Sequence, residues 1–304
     1  MATARDCRSR QLYAAAVMRT RHFADTNTGL RRSRNEDAYL GDDQLGLFLV
    51  CDGVGGRARG EIASAEAAEV IWEWIKGEDA LLSLAKAESV ANTYDVELVA
   101  NGSTGTTSRV TMFEDTIGRL GAMVRAAVQN ASYMVHSIGE VDPVHRGMST
   151  TASVVQFVGY RIVVGQVGDS RVYLARDGEV TQLTEDHTWI NFQIKHGLLT
   201  REQALRSTGK NIITRALGLW PFVEVDIVVV PVQPGDRLLL CSDGLHAYLD
   251  SPTTLVDLFK LDVRDAAPAA IRHANACGGE DNITALFVEF LAASAAHLVS
   301  TPRR

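Results

Sequence analysis

Residues 150–179 read TTASVVQFVGYRIVVGQVGDSRVYLARDGE, and this stretch decides the fold class. It contains three runs rich in β-branched residues, which are separated by Gly159-Tyr160 and by Gly168-Asp169-Ser170. Such short separators join strands that run antiparallel, and the later Asp177-Gly178 pair is typical of a further hairpin turn. The segment therefore predicts an antiparallel meander with strands at 150–158, 161–167 and 171–175, and not a doubly wound parallel sheet.

Further elements are predicted on both sides of this meander. Residues 22–51 favour strands broken by a polar segment, and the apolar run Leu45–Cys51 predicts a buried strand that ends at Asp52-Gly53. Other strands are expected at 223–230, 237–241 and 283–290, and helices at 61–76, 119–138, 188–196, 201–206, 253–260 and 264–276. Residues 101–108 predict a loop, while 77–118 as a whole are hard to interpret. We expect one α+β domain at 21–291, after an N-terminal extension at 1–20 and before a C-terminal tail at 292–304.

Composition excludes several classes of protein. The chain has 304 residues, 46% of them hydrophobic, and a net charge of −7, which argues against nucleic acid as a main partner. No apolar run approaches the ~20 residues that cross a bilayer. Arg19 and Arg21 interrupt the N-terminal apolar stretch, which favours a short helical leader over a signal peptide. The four cysteines form no Cys-x-x-Cys pair, so we expect reduced thiols and a cytoplasmic protein.

Acidic residues recur where predicted strands begin or end: Glu36-Asp37, Asp52-Gly53, Asp243-Gly244 and Asp281-Asn282. One Asp-Gly pair alone is most often a turn. Four such positions are different, because carboxylates at the same end of neighbouring strands converge and repel one another. A hard divalent cation such as Mg²⁺ or Mn²⁺ relieves that repulsion with oxygen ligands. The pattern therefore predicts a metal site at one end of the sheets.

Eight motifs in sequence order carry a resemblance to a known family. The chain resembles the bacterial branch of the metal-dependent PPM protein phosphatases (the 2C type) from about residue 22 to 290. The motifs are Gly29–Asp37, Cys51–Gly56, Gly147–Thr151, Gly168–Arg171, Leu183–His187, Ile213–Gly218, Cys241–Leu245 and Asp281–Thr284. Each motif alone is weak, but eight in this order are very specific.

The resemblance implies a β-sandwich of two antiparallel sheets flanked by pairs of helices, with two Mn²⁺ or Mg²⁺ ions at one end. It implies that Asp52 bridges both ions, with Glu36 and the Gly53 carbonyl on one of them. Asp243 and Asp281 would hold the other ion, and Asp142 is a candidate ligand for a third. Asp37 would steady metal-bound water, and Arg32 would bind the substrate phosphate.

The implied reaction is hydrolysis of phosphoserine or phosphothreonine in proteins. Water between two ions becomes a nucleophile near neutral pH, so no covalent intermediate is needed. Ser170 and Ser242 are interpreted as turn residues, Cys51 and Cys241 as packing residues, and His187 as a structural histidine. Val54 and Arg57 replace the Met and His of many bacterial relatives, so no histidine general acid is expected from that loop.

Partners follow from the same resemblance. We expect a monomer that acts on phosphorylated proteins, opposes a Hanks-type kinase and binds neither nucleic acid nor membrane. Residues 184–215 resemble the family's variable flap, which would set substrate choice. A pseudoenzyme used as a binding module is the alternative from another class, but such proteins typically lose the metal carboxylates. A metal-dependent nuclease would need a basic groove, and the composition offers none.

Overall fold

The computed structural model describes residues 18–54, 59–100, 107–205, 212–249 and 251–292. Its strands are β1 Arg19–Asn27, β2 Asp37–Asp42, β3 Leu47–Val54, β4 Ser149–Thr150, β5 Ala152–Val158, β6 Arg161–Val167, β7 Arg171–Arg176, β8 Glu179–Gln182, β9 Asp226–Pro231, β10 Arg237–Cys241 and β11 Ile283–Leu291. Its helices are α1 Gly60–Lys76, α2 Asp79–Ala100, α3 Thr107–Val141, α4 Trp189–Lys195, α5 Arg201–Leu205, α6 Asp243–His246, α7 Pro252–Lys260 and α8 Val263–Ala276.

The strands form two antiparallel sheets, as the fold prediction required. One sheet has the order β1-β11-β10-β7-β8, and the other has β2-β3-β5-β6-β9 with β4 beside β3. The predicted meander is right only in its two hairpins, since β5 pairs with β6 and the Asp177-Gly178 turn joins β7 to β8. Between them, Gly168-Asp169-Ser170 carries the chain from one sheet to the other, so β6 and β7 do not pair. Asp177 has φ 53°, the left-handed conformation that such hairpin turns require.

Period-2 alternation along the central strands builds the layers. In β3, Phe48 and Val50 enter the core between the two sheets, whereas Leu49 packs against the layer of α1 and α3. In β10, Leu240 faces the sandwich interior and Leu239 packs beneath α7 and α8. Each central strand is buried on both faces, so the architecture is helix, sheet, sheet, helix.

The structure assigns one segment that had no prediction, and it corrects the bounds of two predicted elements. Residues 79–100 form α2, whose Leu82 and Ala85 join the core under α1 and α3, so this part of 77–118 is helical. Of the predicted loop 101–108, residues 101–106 lie outside the described chain, and α3 already begins at Thr107. The strand expected at 223 begins at Asp226, because the Val223 N–H donates to the Gln129 side chain and makes no strand pair.

Other expectations lie partly or wholly outside the described residues. These include the helical leader, most of the N-terminal extension and nearly all of the C-terminal tail. Within the described ranges, no helix combines the length and apolar character needed to cross a membrane.

Candidate active site at the aspartate-rich end

Strand register brings the predicted acidic residues to one end of the sandwich. Asp37 of β2 pairs with Asp52 of β3. Asp243 follows β10, and Asp281 precedes β11, the strand that pairs with β10. The two sheets are joined at this end, because the hydroxyls of Ser242 and Thr284 donate to Asp37 Oδ2 over 2.8 and 2.7 Å. Ser242 is therefore a buried link between sheets and not merely a turn residue.

Asp52 is fixed through its backbone, which leaves its carboxylate available. Its N–H donates to Thr151 Oγ1 at 2.9 Å, and its carbonyl accepts from Thr151 N–H at 2.8 Å and from the Thr150 hydroxyl at 2.9 Å. Burial raises the pKa of Asp52 well above its ordinary value, and the charges of Asp37 and Asp243 raise it further. The sequence analysis assigned no role to these threonines, although both belong to the motif Gly147–Thr151.

Gly53 is required by close packing at the same loop. A Cβ there would collide with the carbonyls of Gly60 and Glu36, so only glycine brings these three backbone segments together. The Glu36 carbonyl also accepts from Gly53 N–H at 3.0 Å and from the Ser64 hydroxyl at 2.6 Å. The pKa of Glu36 is raised, first by burial and then by the charge of Glu61.

Asn282 holds the loop that carries the predicted phosphate-binding arginine. Its Oδ1 accepts from Glu36 N–H at 2.8 Å, and its Nδ2 donates to the carbonyls of Thr28 and Arg34. Arg32, on that loop, donates from Nη2 to Asp281 Oδ2 at 2.6 Å with its side chain 45% exposed. Arg32 therefore lies at the mouth of the acidic cluster, within reach of solvent.

Several of these carboxylates are removed from solvent without a paired Lys or Arg side chain among the described residues. Burial raises the pKa of Asp37 to about 7, against the opposing effect of the two hydroxyls. No role was predicted for Asp169. Its pKa is also raised to about 7, by burial and by the charge of Asp243. One oxygen of each, Asp37 Oδ1 and Asp169 Oδ1, is buried without a hydrogen-bond partner among the described residues.

The carboxylates are nevertheless not arranged as an ion cage. In the described part of the chain, no three His, Cys, Asp or Glu side chains are placed to hold an ion as they stand. One contact of this cluster is an ion pair: Arg32 Nη2 donates to Asp281 Oδ2, which offsets the charge of one acidic group.

The remaining predicted residues lie around this cluster. Asp142 begins a 3₁₀ turn, where its Oδ1 accepts from Val144 N–H and its Oδ2 lies 3.1 Å from His145 Nδ1. His187 accepts from Gly168 N–H and lies 3.1 Å from Asp226 Oδ2, which suits the predicted structural role. Cys51 and Cys241 are fully buried in the core. Arg57 lies outside the described residues.

One family of known proteins matches this chain. A model of protein phosphatase 2C matches residues 30–273. The chain belongs to the protein phosphatase 2C family. It is 32% identical to the serine/threonine phosphatase stp of Listeria welshimeri over 269 residues, which cover 87% of this chain and 93% of the relative. It is 31% identical to PstP of Mycobacterium tuberculosis over 276 residues, which cover 91% of this chain and 46% of that longer protein.

Solved structures of the family agree with the fold. The crystal structure of M. tuberculosis PstP matches with a TM-score of 0.72 at 30% identity, over 90% of this chain and 99% of that one. The catalytic domain of PstP in complex with two manganese ions matches with a TM-score of 0.69 at 28% identity, over 90% and 99%. The predicted family and the α+β sandwich are thus confirmed.

Proposed function

We propose that this member of the family hydrolyses phosphoserine and phosphothreonine in proteins, with Mn²⁺ or Mg²⁺ bound at the aspartate-rich end. The observation that carries the proposal is a group of half-buried carboxylates that converge from both sheets, with Arg32 at its mouth. Buried charges need partners, and the described side chains supply only one arginine contact to this group.

The residues present fit divalent cations. The side-chain donors are carboxylate oxygens, with no histidine or cysteine among the predicted ligands, and a buried oxygen of Asp37 has no partner. Oxygen donors of this kind suit Mg²⁺ and Mn²⁺. Asp52, Glu36 and the Gly53 carbonyl would hold one ion, and Asp52, Asp243 and Asp281 the other. When bound, such a pair acidifies a water between the ions and offsets charge on phosphoryl oxygens.

The chain's own residues would bind and orient the substrate. Arg32 is paired with a predicted ligand, so release of Asp281 would free the guanidinium to bind phosphate by charge-assisted hydrogen bonds. Asp37 is held through one oxygen by Ser242 and Thr284, and its second oxygen, which has no partner among the described residues, would accept a hydrogen bond from water. These roles need no covalent intermediate.

Assays with two substrates test this proposal. Purified protein with Mn²⁺ is expected to hydrolyse both p-nitrophenyl phosphate and a phosphothreonine peptide, and to lose both activities in EDTA. A folded protein that binds Mn²⁺ but cleaves neither substrate would favour the pseudoenzyme. The Hanks-type kinase partner, the monomeric state and the role of residues 184–215 stay predictions.

A further inference from the structure

A groove between α1 and α3 opens to solvent on the outer face of the helical layer. It has a volume of about 540 Å³, and Val70, Trp74 and Met134 form its apolar floor. Trp74 and Met134 are 40% and 39% exposed, so the core leaves much of both side chains in contact with water. Exposed apolar surface that is gathered in a groove and bordered by polar residues is typical of a site where another protein binds.

Three glutamates of α1 form one edge of this groove. Glu66, Glu69 and Glu73 are spaced by three and four residues, so they lie on one face of the helix. Glu61, earlier on the same helix, is paired with Arg34. In the described part of the chain, by contrast, none of the three groove glutamates forms a salt bridge.

The glutamate edge is also not relieved by α1 itself. Like charges three or four residues apart destabilise a helix, and a basic side chain at the same spacing would offset them. The only basic residue of α1, Lys76, lies instead over the ring of Trp72, with Nζ 4.0 Å from the ring centroid. The groove therefore combines a negative edge with an apolar floor, which an arginine or lysine next to an apolar side chain would complement.

The groove starts close to the proposed metal site. Helix α1 begins at Gly60, where a Cβ would lie 2.8 Å from Oε2 of Glu36, a predicted metal ligand. With a rise of about 1.5 Å per residue, Glu66 and Glu73 lie ~9 and ~20 Å along the helix from Gly60. An extended peptide covers ~3.3 Å per residue, so positions about three to six residues from a phosphorylated side chain at the site would reach these glutamates.

We propose that this groove binds a basic segment of the phosphorylated protein substrate. Arginine or lysine side chains would pair with the glutamate edge, and a neighbouring apolar side chain would cover the floor. The inference rests on the proposed function, because it names the class of substrate for the same site. Charge complementarity favours this occupant over a second copy of the chain, whose net charge is −7.

Two phosphothreonine peptides measure the preference. The basic peptide carries arginines about three to six residues from the phosphothreonine on both sides, with one leucine among them, and glutamines replace the arginines in the matched peptide. Wild type with Mn²⁺ should have a kcat/KM about 10-fold higher for the basic peptide, mainly through KM, because several exposed ion pairs each add a small gain in binding. High salt should abolish this advantage.

Neutral variants of the glutamate edge test where the preference arises. The triple variant Glu66→Gln/Glu69→Gln/Glu73→Gln should lose most of the preference, while its rate on p-nitrophenyl phosphate stays that of wild type. Trp74→Ala should lower kcat/KM for both peptides, because both carry the leucine. A control removes three charges from the β7–β8 hairpin and from α7, which packs on the other sheet, and should keep the preference: Asp177→Asn/Glu179→Gln/Asp257→Asn.

Other results would overturn the inference. Wild type that cleaves p-nitrophenyl phosphate but does not distinguish the peptides would remove the groove from substrate binding and leave the proposed function intact, as would an equal loss of preference in the control. Dimers that dissociate only in the triple variant, without any peptide preference, would make a second copy the occupant.

A binding measurement separates this inference from the proposed function. Wild type that cleaves neither peptide nor p-nitrophenyl phosphate would contradict the proposed function. Fluorescence anisotropy of the labelled, unphosphorylated basic peptide tests the groove without catalysis. Binding that the triple variant loses and the control keeps would support the groove, and equal binding by both variants would overturn it.

Discussion

The two ends of the sandwich differ in how their carboxylates are paired with arginine. At the end away from the site, Asp236 is 1% exposed and accepts from Arg176 Nε at 2.9 Å. Beside it, Glu289 accepts from Arg21 at 2.6 Å and from Arg237 at 2.7 Å. At the site end, Asp169 is buried and Asp37, Asp52 and Asp243 are half-buried. The one arginine contact among the described residues of this group goes to Asp281.

This difference distinguishes carboxylates that stabilise the fold from carboxylates that are proposed to bind metal. The far end supplies its own counter-charges, so its carboxylates stabilise the fold without any added ion. Among the described residues, the site end supplies only Arg32, and Asp37 gains hydroxyl donors that orient it but do not neutralise it. Cations from solution would complete only this end, so metal and mutations should affect the two ends in opposite ways.

The largest expected effect is on activity after metal removal. EDTA-treated protein should lose hydrolysis of a phosphothreonine peptide by ~10³-fold or more, since Lewis-acid stabilisation contributes several kcal/mol. Added Mn²⁺ should restore it. The far-end variant Asp236→Asn is the control, because the fraction that stays folded should show the same metal dependence. Full activity in metal-free protein would remove the metal mechanism.

Matched aspartate-to-asparagine variants should separate stability from function. Asp236→Asn breaks a buried ion pair and should cost ~3–5 kcal/mol of unfolding free energy, with or without Mn²⁺. Asp243→Asn removes a repelling charge, so the metal-free protein should melt at the same or a higher temperature than wild type.

Asp243→Asn should nevertheless lose most activity and gain less stability from Mn²⁺. Thermal melts of both variants in EDTA and in manganese measure the contrast. A destabilised Asp243→Asn with normal turnover would make Asp243 a structural turn residue like any other.

Arg32→Ala should produce a smaller, purely functional loss. If Arg32 binds the phosphate through charge-assisted hydrogen bonds, kcat/KM should fall by ~1.5–3 kcal/mol in free-energy terms without unfolding the protein. Arg31→Ala is the matched control on the same exposed loop and should behave like wild type. Equal kcat/KM values for Arg32→Ala and wild type would move the role to Arg31 or Arg34.

The smallest effect expected is on the pH dependence of stability. The raised pKa values of Asp37 and Asp169, each about 7, mean that the folded metal-free protein binds more protons than the unfolded chain between about pH 4 and 7. Stability should therefore fall as pH rises through that window.

At the far end, the pH dependence of stability has the opposite sign. Glu289 has a pKa lowered chiefly by its bonds to Arg237 and Arg21, against the effect of burial, so its contribution is lost as pH falls below about 4.5. Denaturant unfolding in EDTA at several pH values measures both trends. Added Mn²⁺ should reduce the pH dependence of stability that comes from the site end and leave that of the far end unchanged. Metal-free stability that rises from pH 5 to 7 would contradict the assignment of uncompensated charge to the site end.

Local sequence patterns predicted much of this arrangement. Alternating apolar residues and short Gly-containing separators placed the strands within 150–179, though not the change of sheet between β6 and β7. Strand ends marked Asp52, Asp243 and Asp281. Helix α2 was missed although Leu82 and Ala85 have helical spacing, because Leu84 between them is apolar yet 40% exposed and obscures the period. Contacts between distant positions carry no local pattern, and Arg32 and Asp281 are 249 residues apart.

Side chains that support the site were missed for the same reason. Asn282 bonds to Arg34 across 248 positions, and Ser242 to Asp37 across 205. Asp169 sits in a Gly-Asp-Ser turn that local reading assigns to a hairpin, and only its burial beside Asp243 distinguishes it. Such roles depend on register and depth in the sandwich, which the sequence does not show.

Diffraction at the manganese absorption edge from crystals grown with Mn²⁺ tests the central claim most directly. We predict anomalous peaks within ligand distance of the Asp52 carboxylate, with the Asp281 carboxylate released from Arg32 and turned toward an ion. The far-end carboxylates Asp236 and Glu289 should show no peak and keep their arginine partners. Crystals at saturating Mn²⁺ with no peak near Asp52 and an intact Arg32–Asp281 pair would contradict the account.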